Sequence, residues 1–115
     1  MSVDLREKDL DVMRAIFLRF PSIQSVRVFG SRARGNARRA SDIDLAVFAP
    51  EMTDRAWSDF REALEDAPLA YNLDVVRLDT LADEKLRSRI ATEGKEVFAK
   101  NTENKGLDNF GVNLI

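Results

Sequence analysis

The run Gly30-Ser31-Arg32-Ala33-Arg34-Gly35-Asn36-Ala37-Arg38-Arg39-Ala40-Ser41-Asp42-Ile43-Asp44-Leu45 decides the fold. It starts where the apolar segment Val26-Arg27-Val28-Phe29 ends, and it closes inside a second apolar segment at residues 43–48. Side chains at i and i+2 of a strand share one face. A strand over residues 42–48 therefore turns Asp42 and Asp44 one way and sends Ile43, Leu45 and Val47 the other, into a core. A rise of about 3.3 Å per residue puts the two carboxylates roughly 6 to 7 Å apart. Like charges this close repel unless something neutralises them, and a divalent cation does so. Glycine lets backbone approach a phosphate, arginine neutralises it, and carboxylates hold a metal. Together they describe a nucleoside-triphosphate site.

The flanking sequence supplies a scaffold. Upstream, residues 25–29 alternate apolar and polar and form a first strand, broken by Gly30-Ser31. A short helix follows over residues 31–34, with Gly35 releasing it, and residues 35–41 are a loop. Before them, Leu10, Met13, Ile16, Phe17 and Phe20 recur at helical spacing, which predicts a helix over 4–20 ended by Pro21. Downstream, Thr53 is the N-cap of a helix to about Asp66, with Trp57, Phe60 and Leu64 facing inward. Residues 72–78 read as a further strand. A helix over 80–93 follows, with Leu81, Leu86 and Ile90 inward and Gly94 as its left-handed stop. Residues 96–99 are a short edge strand. The succession predicts an α+β fold with α/β character: a small mixed β-sheet flanked by helices. Residues 1–100 form the domain, and 101–115 are a poorly ordered or partner-docking tail.

Composition narrows the chemistry. A length of 115 residues allows one domain. The chain has no cysteine and no histidine, which removes thiolate metal sites, Ser-His and Cys-His nucleophiles and imidazole bases. A metal here must be a hard one held by carboxylates, such as Mg²⁺ or Mn²⁺. A net charge of −2 argues against nucleic acid as a direct ligand. No apolar run approaches a membrane span, and the N-terminus lacks the pattern of a signal peptide, so a cytoplasmic protein is expected.

Asp74 lies within Leu73-Asp74-Val75-Val76, and aspartate is depleted in strands. If this strand pairs beside the one carrying Asp42 and Asp44, the three acids form one cluster. Two ions held by such a cluster clamp the attacking and leaving oxygens of a phosphoryl transfer. Asp74 would lie nearest the attacking hydroxyl and, in a chain without histidine, serve as base. Gly30 and Ser31 are the phosphate cradle. The segment is neither a Walker A loop nor a GxGxxG fingerprint. Arg27, Arg32, Arg34, Arg38 and Arg39 fall in an acid-free window, and Arg32 and Arg34 are the nearest to the triphosphate. Arg38 and Arg39 face a partner or a polynucleotide instead.

Gly30-Ser31, ten residues, then Asp42-Ile43-Asp44 resembles the GSx10DxD signature of the polymerase-β-like nucleotidyltransferases. The fuller run is similar to the minimal nucleotidyltransferases, the MNT family. The resemblance covers roughly residues 10–99. It implies triphosphate binding by Gly30 and Ser31, Mg²⁺ binding by Asp42 and Asp44, and Asp74 as the third acid. It further implies a role in HEPN/MNT toxin–antitoxin systems, in which the antitoxin moves AMP from ATP to a tyrosine of a HEPN-domain RNase toxin and assembles with it. The larger antibiotic-modifying relatives carry an extra helical domain that this sequence does not show, so the acceptor is expected on a partner protein. Two alternatives stand beside this expectation: a non-catalytic subunit that neutralises the partner by contact, and a transferase acting on a small molecule such as an antibiotic.

Overall fold

The computed structural model describes residues 3–35 and 42–100. Arg38, Arg39 and the tail at 101–115 lie outside the described residues. Helix α1 spans Glu7–Leu18, strand β1 Ser25–Phe29 and helix α2 Ser31–Arg34. Strand β2 spans Ile43–Phe48, helix α3 Asp54–Glu65 and strand β3 Leu73–Arg77. A 3-10 turn at Leu78–Thr80 leads to helix α4, Glu84–Glu93, and strand β4, Lys95–Ala99.

The sheet runs β3-β2-β1-β4. β1 is antiparallel to β2 and to β4, while β2 and β3 are parallel, so the sheet is mixed as expected. Alternation along β2 sorts its side chains by face. Ile43, Leu45 and Val47 are fully buried in the main core with Val26 and Val28 of β1. Met13 and Phe17 of α1 and Phe60 and Leu64 of α3 cover that face. The opposite face holds a smaller cluster, in which Ile90 of α4 packs on Phe29 and Ala46. Asp42, Asp44 and Asp74 lie on that second face as well.

The helix boundaries are tighter than the apolar spacing predicts. α1 starts at Glu7, because Arg6 is extended and Asp9 turns back to it, accepting from its Nε at 3.1 Å. Thr53 caps α3 as expected, its hydroxyl accepting from the Ala56 N–H at 3.0 Å. The helix predicted over 80–93 is split: its first residue belongs to the 3-10 turn, and Asp83 caps α4 by accepting from the Leu86 N–H. Gly94 does end α4, its N–H donating to the Ile90 carbonyl, but in extended backbone at φ −66° rather than a left-handed one. Its glycine answers close packing instead: a Cβ would collide with the Ile90 carbonyl and stand 3.3 Å from Cδ of Arg27.

Candidate active site

The site is built at the junction of β1 with α2 and at the adjacent stretches of β2 and β3. Gly30 ends β1 with φ 73° and ψ −153°, backbone essentially reserved for glycine. Its carbonyl then accepts from the Ala33 and Arg34 N–H groups, which winds the single turn of α2. Gly35, at φ 82° and ψ 15°, closes that turn in the left-handed region. Gly30 has a second reason to lack a side chain. A Cβ there would strike Oδ2 of Asp44, so the carboxylate lies directly over the glycine.

The parallel register places Asp44 opposite Asp74 on β3, and the antiparallel register places it opposite Phe29 on β1. Asp42 precedes it by two residues and shares its face. The predicted meeting of the three acids therefore rests on an observed strand pairing. Asp42 and Asp74 are exposed, whereas Asp44 is half-buried. Burial pushes the Asp44 carboxyl above its ordinary range, and the charges of Asp74 and then Asp42 push it the same way. Arg89 and Arg34 pull it back. Among the described residues, no three acidic side chains stand in ligating geometry together. The donor chemistry still fits a hard divalent cation: oxygen ligands only, on one face, with charge repulsion for a cation to relieve.

The arginines divide. Arg34 is exposed at the end of α2, and its Nη1 donates to Oε1 of Glu93 on α4 at 3.2 Å. Arg32 is buried in the opposite direction. Its guanidinium donates to the Asp4 carbonyl at 2.9 Å and lies 4.6 Å from the Tyr71 ring centre. Its own carbonyl accepts from the Asp4 N–H. On a one-turn helix neighbouring side chains diverge, and here Arg32 fastens the N-terminal segment to α2. Two residues of α4 were not singled out in the sequence: Arg89, whose charge acts on Asp44, and Glu93, which meets Arg34 and Arg89. The signal available was their i,i+4 spacing, with Nη2 of Arg89 3.9 Å from Oε1 of Glu93. Which way that pair would face depends on how α4 crosses the sheet.

Known proteins share this fold. Residues 12–103 match the family model described as polymerase beta, nucleotidyltransferase. The chain belongs to this nucleotidyltransferase family. Among its relatives, a protein of Haemophilus influenzae named probable protein adenylyltransferase MntA is 28% identical over 83 residues, 71% of this chain and 73% of that one. The protein adenylyltransferase MntA of Shewanella oneidensis is 31% identical over 86 residues, 74% of this chain and 60% of the relative's length. A solved toxin–antitoxin structure with AMP-PNP superposes with a TM-score of 0.66 at 25% identity, over 84% of this chain and 78% of that chain. As a nucleotidyltransferase, the chain takes a nucleotide as its substrate. No helix among the described residues is long and apolar enough to cross a membrane.

Proposed function

We propose that this nucleotidyltransferase is a cytoplasmic antitoxin that transfers AMP from ATP to a tyrosine of a HEPN-domain toxin. One observation carries the reading most directly: β2 and β3 are parallel neighbours, with Asp74 opposite Asp44 and Gly30 beneath the Asp44 carboxylate. The adenylyltransferase relatives and the toxin–antitoxin structure with AMP-PNP supply the substrate and the kind of partner. Residues 1–100 are the catalytic unit in this reading, and 101–115 are a segment for partner docking.

In this mechanism the Gly30 backbone and the Ser31 hydroxyl cradle the triphosphate, and Arg34 offsets its charge. Asp42, Asp44 and Asp74 would hold Mg²⁺, two ions in the full site. When bound, the metal supplies charge neutralisation on the phosphate oxygens. Asp74, on the edge strand β3, is exposed to an acceptor approaching from solvent. It takes the proton of the tyrosine hydroxyl as the oxygen attacks the α-phosphorus. A new oxygen–phosphorus bond forms, the bond from the α-phosphorus to the bridging oxygen breaks, and pyrophosphate leaves. The half-buried Asp44 is fixed by its strand and by Gly30, so it sets the reference position of the site.

The test incubates the chain with α-labelled ATP, Mg²⁺ and the HEPN-domain protein encoded beside it. Label on a toxin tyrosine is the expected result, abolished by Asp42→Asn with Asp44→Asn. An unlabelled toxin, together with neutralisation that survives the double substitution, refutes the enzymatic reading. It would leave the contact-only antitoxin in its place.

A further inference from the structure

α4 contributes more than a lid for the second sheet face. Its C-terminal half carries Arg89 and Glu93, and Glu93 takes Arg34 of α2 at 3.2 Å while Arg89 stands 3.9 Å from the same oxygen. One carboxylate thus gathers two guanidinium groups from elements that are far apart in sequence. Both arginines are substantially exposed, at 43% and 53%, so an anion can reach them from solvent. Arg34 lies on the single turn that Gly30 opens beneath the Asp44 carboxylate, and the shared Glu93 oxygen brings Arg89 next to it. Arginine forks match phosphate oxygens bidentately, and a polyphosphate offers them more charge than one carboxylate does.

We propose that Arg34 and Arg89 form a clamp for the β- and γ-phosphates, and that Glu93 holds the two guanidinium groups in place until the triphosphate displaces it. The proposal rests on the nucleotidyltransferase reading of the site and extends it to a helix outside the Gly-Ser and aspartate motif. Arg89 is a nucleotide-binding residue in this arrangement. Glu93 is a positioning residue, acting only through the arginines.

The clamp is tested by calorimetry with Mg²⁺ and two probes. One is an ATP analogue with a methylene bridge between the α- and β-phosphates, which cannot be cut there. The other is AMP. Arg89→Ala is expected to weaken the analogue about tenfold and to leave AMP unchanged, because AMP lacks the phosphates that the clamp reads. Arg89→Lys keeps a charge but not the fork, and recovers part of the loss. Glu93→Gln removes the competing charge and binds the analogue a few-fold tighter. Arg55→Ala is the charge control: its side chain is 88% exposed on α3, and the substitution leaves both probes unchanged. Equal loss of AMP and analogue in Arg89→Ala, or an equal loss in Arg55→Ala, overturns the clamp. Unchanged or weaker binding in Glu93→Gln overturns the role given to Glu93. Wild-type protein that binds neither probe overturns the nucleotidyltransferase reading itself. Wild-type binding with an unaffected Arg89→Ala overturns only the clamp.

Discussion

Gly30 and Gly35 bracket the same helical turn for different physical reasons. Gly35 needs only its left-handed backbone, with nothing within 4 Å of a would-be Cβ, so Gly35→Ala costs about 1 kcal/mol. Gly30 combines a backbone region closed to other residues with the Asp44 carboxylate lying over it. Gly30→Ala should cost roughly 1 to 3 kcal/mol in urea unfolding from backbone strain alone. It should also abolish label transfer by displacing Asp44, whereas Gly35→Ala retains transfer. Asp44 itself is held at a cost to the fold. Its carboxyl is raised above 3.8, so between that value and the raised one the folded chain binds the proton more tightly than the unfolded chain does. Stability present at low pH is therefore lost as the pH rises through that window. Asparagine takes no charge and escapes the loss. Asp44→Asn should melt higher than wild type near pH 7 and alike at about pH 3, below the window. Mg²⁺ should raise the wild-type melting temperature and leave that of the variant nearly unmoved, a comparison that thermal melts make directly.

At the scale of elements, the acids meet only because β3 lies in register beside β2, and Arg77 secures that neighbour. Its Nε donates to Asp79 at 3.1 Å, and its Nη2 donates to the Ala49 and Met52 carbonyls at 3.0 and 2.6 Å. Its guanidinium also lies 5.5 Å from the Trp57 ring centre. Asp79 in turn accepts from the Ala49 N–H at 2.9 Å, so the far ends of the two strands are tied by one buried network. Arg77→Ala should destabilise the chain by roughly 3 kcal/mol, because it leaves Asp79 and two carbonyls short of partners. It should lower label transfer as well, although Arg77 stands at the opposite end of β3 from Asp74. Denaturant midpoints and labelling together check this. The sequence made the strand faces legible because alternation is local: Ile43, Leu45 and Val47 announce their core on their own. Asp74 was legible as an oddity within a β-branched run, and its register with Asp44 was not, since pairing is a long-range choice. Arg77, Arg89 and Glu93 escaped for the same reason. Their partners lie on elements whose contact no short spacing encodes. The tie of Arg32 to Asp4 was not legible either, since proximity in sequence to Gly30 does not give direction in space.

Taken whole, the molecule has one sheet with unequal faces. The main core fills the side under α1 and α3, while α4 covers only part of the other, and among the described residues Asp42 and Asp74 stay exposed. A cavity of about 370 Å³ lies elsewhere, between the end of α3 and the start of β3, lined by Leu64, Tyr71 and Leu73 among others. An open carboxylate face suits an acceptor side chain presented by another protein, since the partner itself then supplies the exclusion of water that a closed site would provide. Catalysis and association should accordingly separate. Asp42→Asn with Asp44→Asn removes charge without touching the core residues Ile43 and Leu45, so the chain should fold and still co-elute with the HEPN-domain protein on size exclusion. It should transfer no label, and the toxin in that complex should regain its activity on dilution, while toxin treated with wild type and ATP stays inactive. If the doubly substituted chain silences the toxin as durably as wild type, contact alone accounts for neutralisation, and the acid cluster serves some other end.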